Sequence, residues 1–137
     1  MIYKKILLGA AAFFVSSFVI QGILGFVIAG EYFLSIPIMR EAPIFALSLS
    51  HTVLSGIGFA LLYPLTRFDG TPVIKGLKYG LLIGLIMVPF IALDLPGRFT
   101  IPSVGTWILT QGILSVLHFA VSGVLVGLIY KGDAAAA

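Results

Sequence analysis

Residues 6–29 read ILLGAAAFFVSSFVIQGILGFVIA, and no charged side chain interrupts them. A signal-peptide core runs to about 7–15 residues, whereas a helix crossing a bilayer needs about 20. The stretch from Ile6 to Ala29 therefore predicts a first membrane span. Met1-Ile2-Tyr3-Lys4-Lys5 precedes it like the basic end of a targeting signal, but no A-x-A cleavage pattern follows. We expect an uncleaved helix that also serves as the signal.

Three similar stretches follow, at about Pro43–Thr66, Ile74–Leu95 and Val104–Tyr130. Lys75 and Lys78 lie near one end of the third, where long side chains reach the interface. In hydrocarbon a backbone must satisfy its own hydrogen bonds, so long apolar runs become helices. The short alternating segments of a membrane β-barrel are not seen. Composition agrees. Of 137 residues, 9% are charged and 60% hydrophobic, against about 25% charged in a soluble domain. Such a chain cannot make a polar surface. Its length suits one domain, taken as residues 1–133, and is too short for an added soluble catalytic domain. Residues 134–137, all alanine, read as a tail or scar. With no cysteine, thiol chemistry and thiolate metal sites are excluded. The net charge of +3 comes from scattered lysines and arginines rather than a basic stripe, so it is not a nucleic-acid signal.

The charges set an orientation. Lys4, Lys5, Arg67, Lys75, Lys78 and Lys131 fall on one side of the spans, Arg40 and Arg98 on the other. The positive-inside rule then predicts both termini and the 66–74 loop in the cytoplasm of a bacterial inner membrane. Tyr3, Tyr63, Tyr79 and Tyr130 are expected in the inner aromatic belt, Tyr32 and Trp107 in the outer one. Arg67-Phe68-Asp69-Gly70-Thr71-Pro72 carries turn chemistry. Glu31, Arg40, Glu41, Asp94 and Arg98 predict a salt-bridged outer cap, or a docking surface for a partner.

A duplication links the second and fourth spans. His51-x3-Ser55-Gly56-x4-Leu61-x-Tyr63 recurs as His118-x3-Ser122-Gly123-x4-Leu128-x-Tyr130. Ser48 matches Ser115, and upstream Ile36-Pro37 resembles Ile101-Pro102. Repeats of about 1–66 and 72–131 would each start and end inside, so they are parallel repeats. The expected fold is all-α: a four-transmembrane-helix bundle of two parallel hairpins, N-in and C-in.

His51 and His118 each lie twelve positions before a tyrosine, about 18 Å along a helix. At equal depth, pseudo-symmetry would allow them to face one another across the bundle. Two opposed imidazoles are the axial ligands of a b-type haem, with the small residues Ser55, Gly56, Ser122 and Gly123 leaving room for a flat macrocycle. The alternative is an imidazole hydrogen-bonded to a neighbouring helix. Gly56 with Ala60, Gly123 with Gly127, and Gly76, Gly80 and Gly84 are spaced for close helix packing. Pro89 frees the carbonyl of Leu85 and predicts a kink. Gln21 and Gln111 are expected as interhelical polar contacts. No acidic residue lies deep in a span, which weighs against proton-coupled transport, and no HExxH, GxSxG or phosphate loop occurs. The leading expectation is a non-catalytic subunit or scaffold of a larger membrane complex, in contact with other subunits or a second copy. The alternatives are a haem-binding protein and a small channel or carrier for a neutral solute.

Overall fold

The structure is a computed structural model that describes residues 2–38 and 44–132. Among the described residues it is all-helical, with four helices long and apolar enough to cross a membrane. They are α1 (Ile2–Leu34), α2 (Phe45–Leu65), α3 (Pro72–Arg98) and α4 (Val104–Ile129).

Helix α1 is longer than the uncharged stretch suggested. Lys4 and Lys5 sit in its first turns and Glu31 in its last, because nothing between them breaks a helix before Pro37. It is not uniform. Residues Phe18–Leu24 are π-helical, and Ala29 leaves helical geometry at φ −138°, ψ 25°. Helix α3 opens with Pro72 in its first turn, where the missing N–H costs nothing. The Thr71 hydroxyl accepts from the Ile74 N–H at 3.4 Å. Directly after Pro89, residues Phe90–Asp94 turn π-helical, so the proline's disruption is absorbed as a wider helical turn. Gly70, at φ +123°, supplies the left-handed step of the turn between α2 and α3.

The helices pack as α2 on α1, α1 on α4, and α4 on α3. Small residues set the close approaches. Gly9 and Ala10 of α1 meet Ala60 and Gly56 of α2, and Gly76 and Gly80 of α3 meet Gly123 and Gly127 of α4. Dispersion between these closely packed backbones supplies cohesion. Lys5 lies over the Tyr130 ring at 5.8 Å, which places the start of α1 and the end of α4 at one end of the bundle.

Two cores form. Near the chain ends, Phe13, Phe59, Tyr79, Phe119, Val126 and Tyr130 pack together. At the far end, Ala29, Phe33, Ile36, Ile101 and Trp107 make a smaller cluster. The Tyr32 hydroxyl ties that cluster to the α3–α4 connection by donating to the Pro102 carbonyl at 2.7 Å.

Three of the aromatic residues expected in interfacial belts are buried within the bundle: Tyr79, Tyr130 and Trp107. Prolines explain two of them. Pro64 has no N–H to give to the Ala60 carbonyl four residues back, and Tyr130 donates its hydroxyl to that carbonyl at 2.9 Å. In the π register the partner of Ile91 would be Pro96, and the Trp107 indole donates to Ile91 O at 3.0 Å. Tyr79 donates to the neighbouring Phe59 carbonyl at 2.6 Å.

Of the expected charged cap, Asp94 and Arg98 pair at 3.0 Å on the surface. Glu31 is exposed, and Arg40 and Glu41 lie outside the described residues.

Candidate functional site

Helices α2 and α3 are not a packed pair. They meet near the chain ends, where the Tyr79 ring contacts Phe59 at 4.6 Å and Tyr63 at 5.2 Å. Beyond that point every residue from Ile44 to His51 is exposed. The gap between the two helices, backed by α1 and α4, is a cavity of about 370 Å³.

All four helices line it, and both histidines are in its wall. They are not equivalent there. His51 is exposed, whereas His118 is only 5% exposed. The difference follows from packing order: α4 lies between α1 and α3, while α2 has α1 on one side alone. The His118 ring is held between Phe13, centroids 4.6 Å apart and edge-on, and Phe119 at 5.1 Å. Its Nε2 has no hydrogen-bond partner among the described residues. A buried imidazole nitrogen left unpaired costs about 1–3 kcal/mol. Folds rarely keep such a group without a use for it.

The surrounding polar groups are neutral. Ser17, Gln21, Thr52, Ser55 and Gln111 line the cavity, and among the described residues no Asp, Glu, Lys or Arg does. Gln21, inside the π-helical turn of α1, donates to the Ser115 hydroxyl at 3.1 Å. One turn nearer the chain ends, Ser16 and Ser122 share a hydrogen bond of 2.6 Å, and Ser16 also donates to Phe13 O at 3.0 Å. The rest of the wall is apolar, with Met87 and Ile91 from α3. Chemically the site offers donors and acceptors without net charge inside a greasy slot, which suits an uncharged molecule with one or two polar groups.

The glycines do not make room for a macrocycle. A Cβ on Gly56 would lie 2.9 Å from the Ala10 carbonyl oxygen, and one on Gly123 would lie 2.7 Å from Gly80 Cα. Their free sides are filled by neighbouring backbones. Ala60, Gly80, Gly84 and Gly127 also sit at helix contacts, Gly84 against the Phe119 side chain. Ser55 lines the cavity, and Ser122 is buried against Ser16. Gly58, by contrast, faces open space.

Sequence reasoning singled out the two histidines, the two glutamines and Ser55 of this wall, and named Tyr79 as a belt residue, but not Phe13, Ser17, Thr52 or Met87. Nothing in their spacing marks them; they become neighbours through the α1–α4 contact. Among the described residues no group of three or more His, Cys, Asp and Glu could hold a metal ion. No protein-family model matches the chain, and neither a curated relative nor a solved structure matches it.

Proposed function

We propose that the protein is an integral membrane protein that binds a small, neutral, largely apolar molecule in the cavity between α2 and α3, and releases it sideways or toward the far end as a carrier or receptor would. One observation carries this reading: buried His118, whose Nε2 has no hydrogen-bond partner among the described residues, lines a cavity with no ionic side chain among the described residues of its wall. A hydroxyl or carbonyl on the ligand would complete that nitrogen's hydrogen bonding, with Gln111 and His51 available for a second polar group.

The orientation follows from the lysines and arginines, with both termini in the cytoplasm. A two-hairpin duplication fits the contacts. Gly9 meets Ala60 in the first hairpin, and Gly76 meets Gly127, 67 positions later for both partners, in the second. Ile36 and Ile101 likewise enter one far-end cluster.

The test is native mass spectrometry of the protein extracted from its own membrane in mild detergent, beside His118→Leu. The expected result is a small-molecule adduct on the wild type that the variant lacks. In ligand-free protein, removing an unpaired polar atom should leave the melting temperature unchanged or raised. An adduct kept in full by the variant, or a variant that melts well below the wild type, refutes His118 as a ligand anchor. A haem adduct with its visible absorbance, lost on replacing either His51 or His118, would select the b-type haem reading instead.

A second reading rests on the exposed far half of α2. Ser48 and Ser50 are exposed polar groups within that helix, a costly arrangement against lipid alone. A subunit of a larger membrane complex would cover them. In the same spectra that reading appears as the mass of a second polypeptide.

A further inference from the structure

At the end that carries both chain termini lies a second pocket of about 720 Å³, separate from the histidine cavity. Three cationic side chains line it, Arg67, Lys75 and Lys131, with one carboxylate, Asp69. Among the described residues none of the three cations is in a salt bridge. Arg67 belongs to the turn between α2 and α3, Lys75 to the first turn of α3, and Lys131 follows α4, so three separate segments converge their charge. Helix α3 also starts here at Pro72, and the positive end of its dipole adds to the field. Asp69 offsets only part of it. Its backbone carbonyl accepts from Lys78 at 3.1 Å, which fixes the turn.

The floor is aromatic. Tyr63 and Tyr130 line the pocket with ring centroids 5.3 Å apart, and Phe68 lies beside them. Just outside, Leu65 is 76% exposed, and Val73 and Ile74 are exposed too. The pocket therefore joins a cationic rim to an apolar flank at the end of the spans.

We infer that this pocket binds the phosphate headgroup of an anionic membrane lipid. The inference rests on the membrane reading of the four helices and is independent of what occupies the histidine cavity. Converging cations at the ends of spans are the general recipe for such a headgroup site. The apolar flank distinguishes it from a site for free phosphate, because it gives the acyl chains a continuous path into the bilayer. Arg67 supplies a planar fork matched to phosphate oxygens, and the two lysines act as point charges.

The experiment uses the full chain, purified in detergent micelles with equal amounts of phosphatidylglycerol and phosphatidylcholine, and read by native mass spectrometry. The wild type should retain phosphatidylglycerol at least ~10-fold over phosphatidylcholine, and Arg67→Gln/Lys75→Gln/Lys131→Gln should fall to near parity. A control with two exposed charges outside the pocket removed, Lys4→Gln/Arg98→Gln, should keep the preference. Equal loss in the control, or no loss in the triple variant, overturns the site. Inorganic phosphate that binds lipid-free protein and displaces phosphatidylglycerol at millimolar concentration overturns the lipid assignment. If the triple variant does not fold, Lys75→Gln alone should still show a partial loss, and an unchanged ratio there counts against the pocket. A chain that stays dispersed without detergent would instead sink the membrane reading.

Discussion

Replacing Gly123 by alanine tests the packing of α3 on α4 most directly. An alanine Cβ at this position would sit 2.7 Å from Gly80 Cα and 2.8 Å from Gly80 N, and it would overlap the Gly76 carbonyl oxygen. All three are backbone atoms, so no side chain can swing aside. The helices must part by about 1 Å to restore ordinary contact, and a gap of 0.5–1 Å already forfeits about a quarter to a half of each dispersion contact along the interface. Overpacking of this kind costs about 1–3 kcal/mol, and we place Gly123→Ala near the upper end. Gly58→Ala is the matched control. Its Cβ meets nothing within 4 Å, so it should gain the helix-propensity advantage of alanine, about 0.5–1 kcal/mol. The assay is reversible unfolding of both variants in mixed micelles under increasing denaturing detergent. The expected gap between them is about 2–4 kcal/mol. Gly123→Ala as stable as Gly58→Ala would refute the close backbone contact and with it the small-residue account of this hairpin.

Three further outcomes follow from named contacts. Tyr130→Phe removes the donor to the Ala60 carbonyl and should cost about 1–2 kcal/mol; Pro64→Ala returns an N–H that can take over, so the two changes should couple favourably in a double-mutant cycle, and strict additivity would refute the assignment. Ser122→Ala leaves Ser16 bonded to Phe13 O, so the loss should stay near ~0.6 kcal/mol by chemical unfolding; a loss above about 2 kcal/mol would mean that Ser122 has a larger part than this bond. Gly70→Ala forces a side chain onto φ +123° and sets its Cβ 2.9 Å from the Ile74 side chain; a drop of about 1–3 kcal/mol in thermal stability is expected, and a neutral result would argue that the turn relaxes.

The spans are legible in the sequence because hydropathy and length alone decide them. The first helix illustrates the limit: charge marks where the apolar stretch ends, yet the backbone continues through Lys4 at one end and Glu31 at the other because no breaker intervenes. The pattern shared by His51 and His118 shows matching positions but not matching surroundings. One histidine is buried and the other exposed, since burial depends on which helices flank α2 and α4. The cavity wall was half visible for the same reason. Polar residues inside apolar runs stand out, whereas Phe13, Tyr79 and Met87 look like any other apolar or belt residue until α1 is set against α4.

The rule applied to Pro89 would have found more had it been carried to every proline. A proline beyond the first turn of a helix deprives one carbonyl of its helical partner, and away from water that carbonyl needs another donor. Pro64 points to Ala60, and Pro96, once the π-helical turn shifts the register by one, points to Ile91; a tyrosine and a tryptophan from the α4 segment supply the two donors. These bonds explain how α2 and α3 can stand apart at the cavity. Tyr130 pins α4 to α2, Tyr79 pins α3 to α2, and Trp107 pins α4 to α3 near the far end. The gap between α2 and α3 is thus bracketed by hydrogen bonds and backed by the α1–α4 contact, and it does not depend on α2 and α3 packing together. A cavity held open in this way survives without a ligand. On the proposed reading, it keeps the buried His118 at its wall for a molecule that brings a polar group.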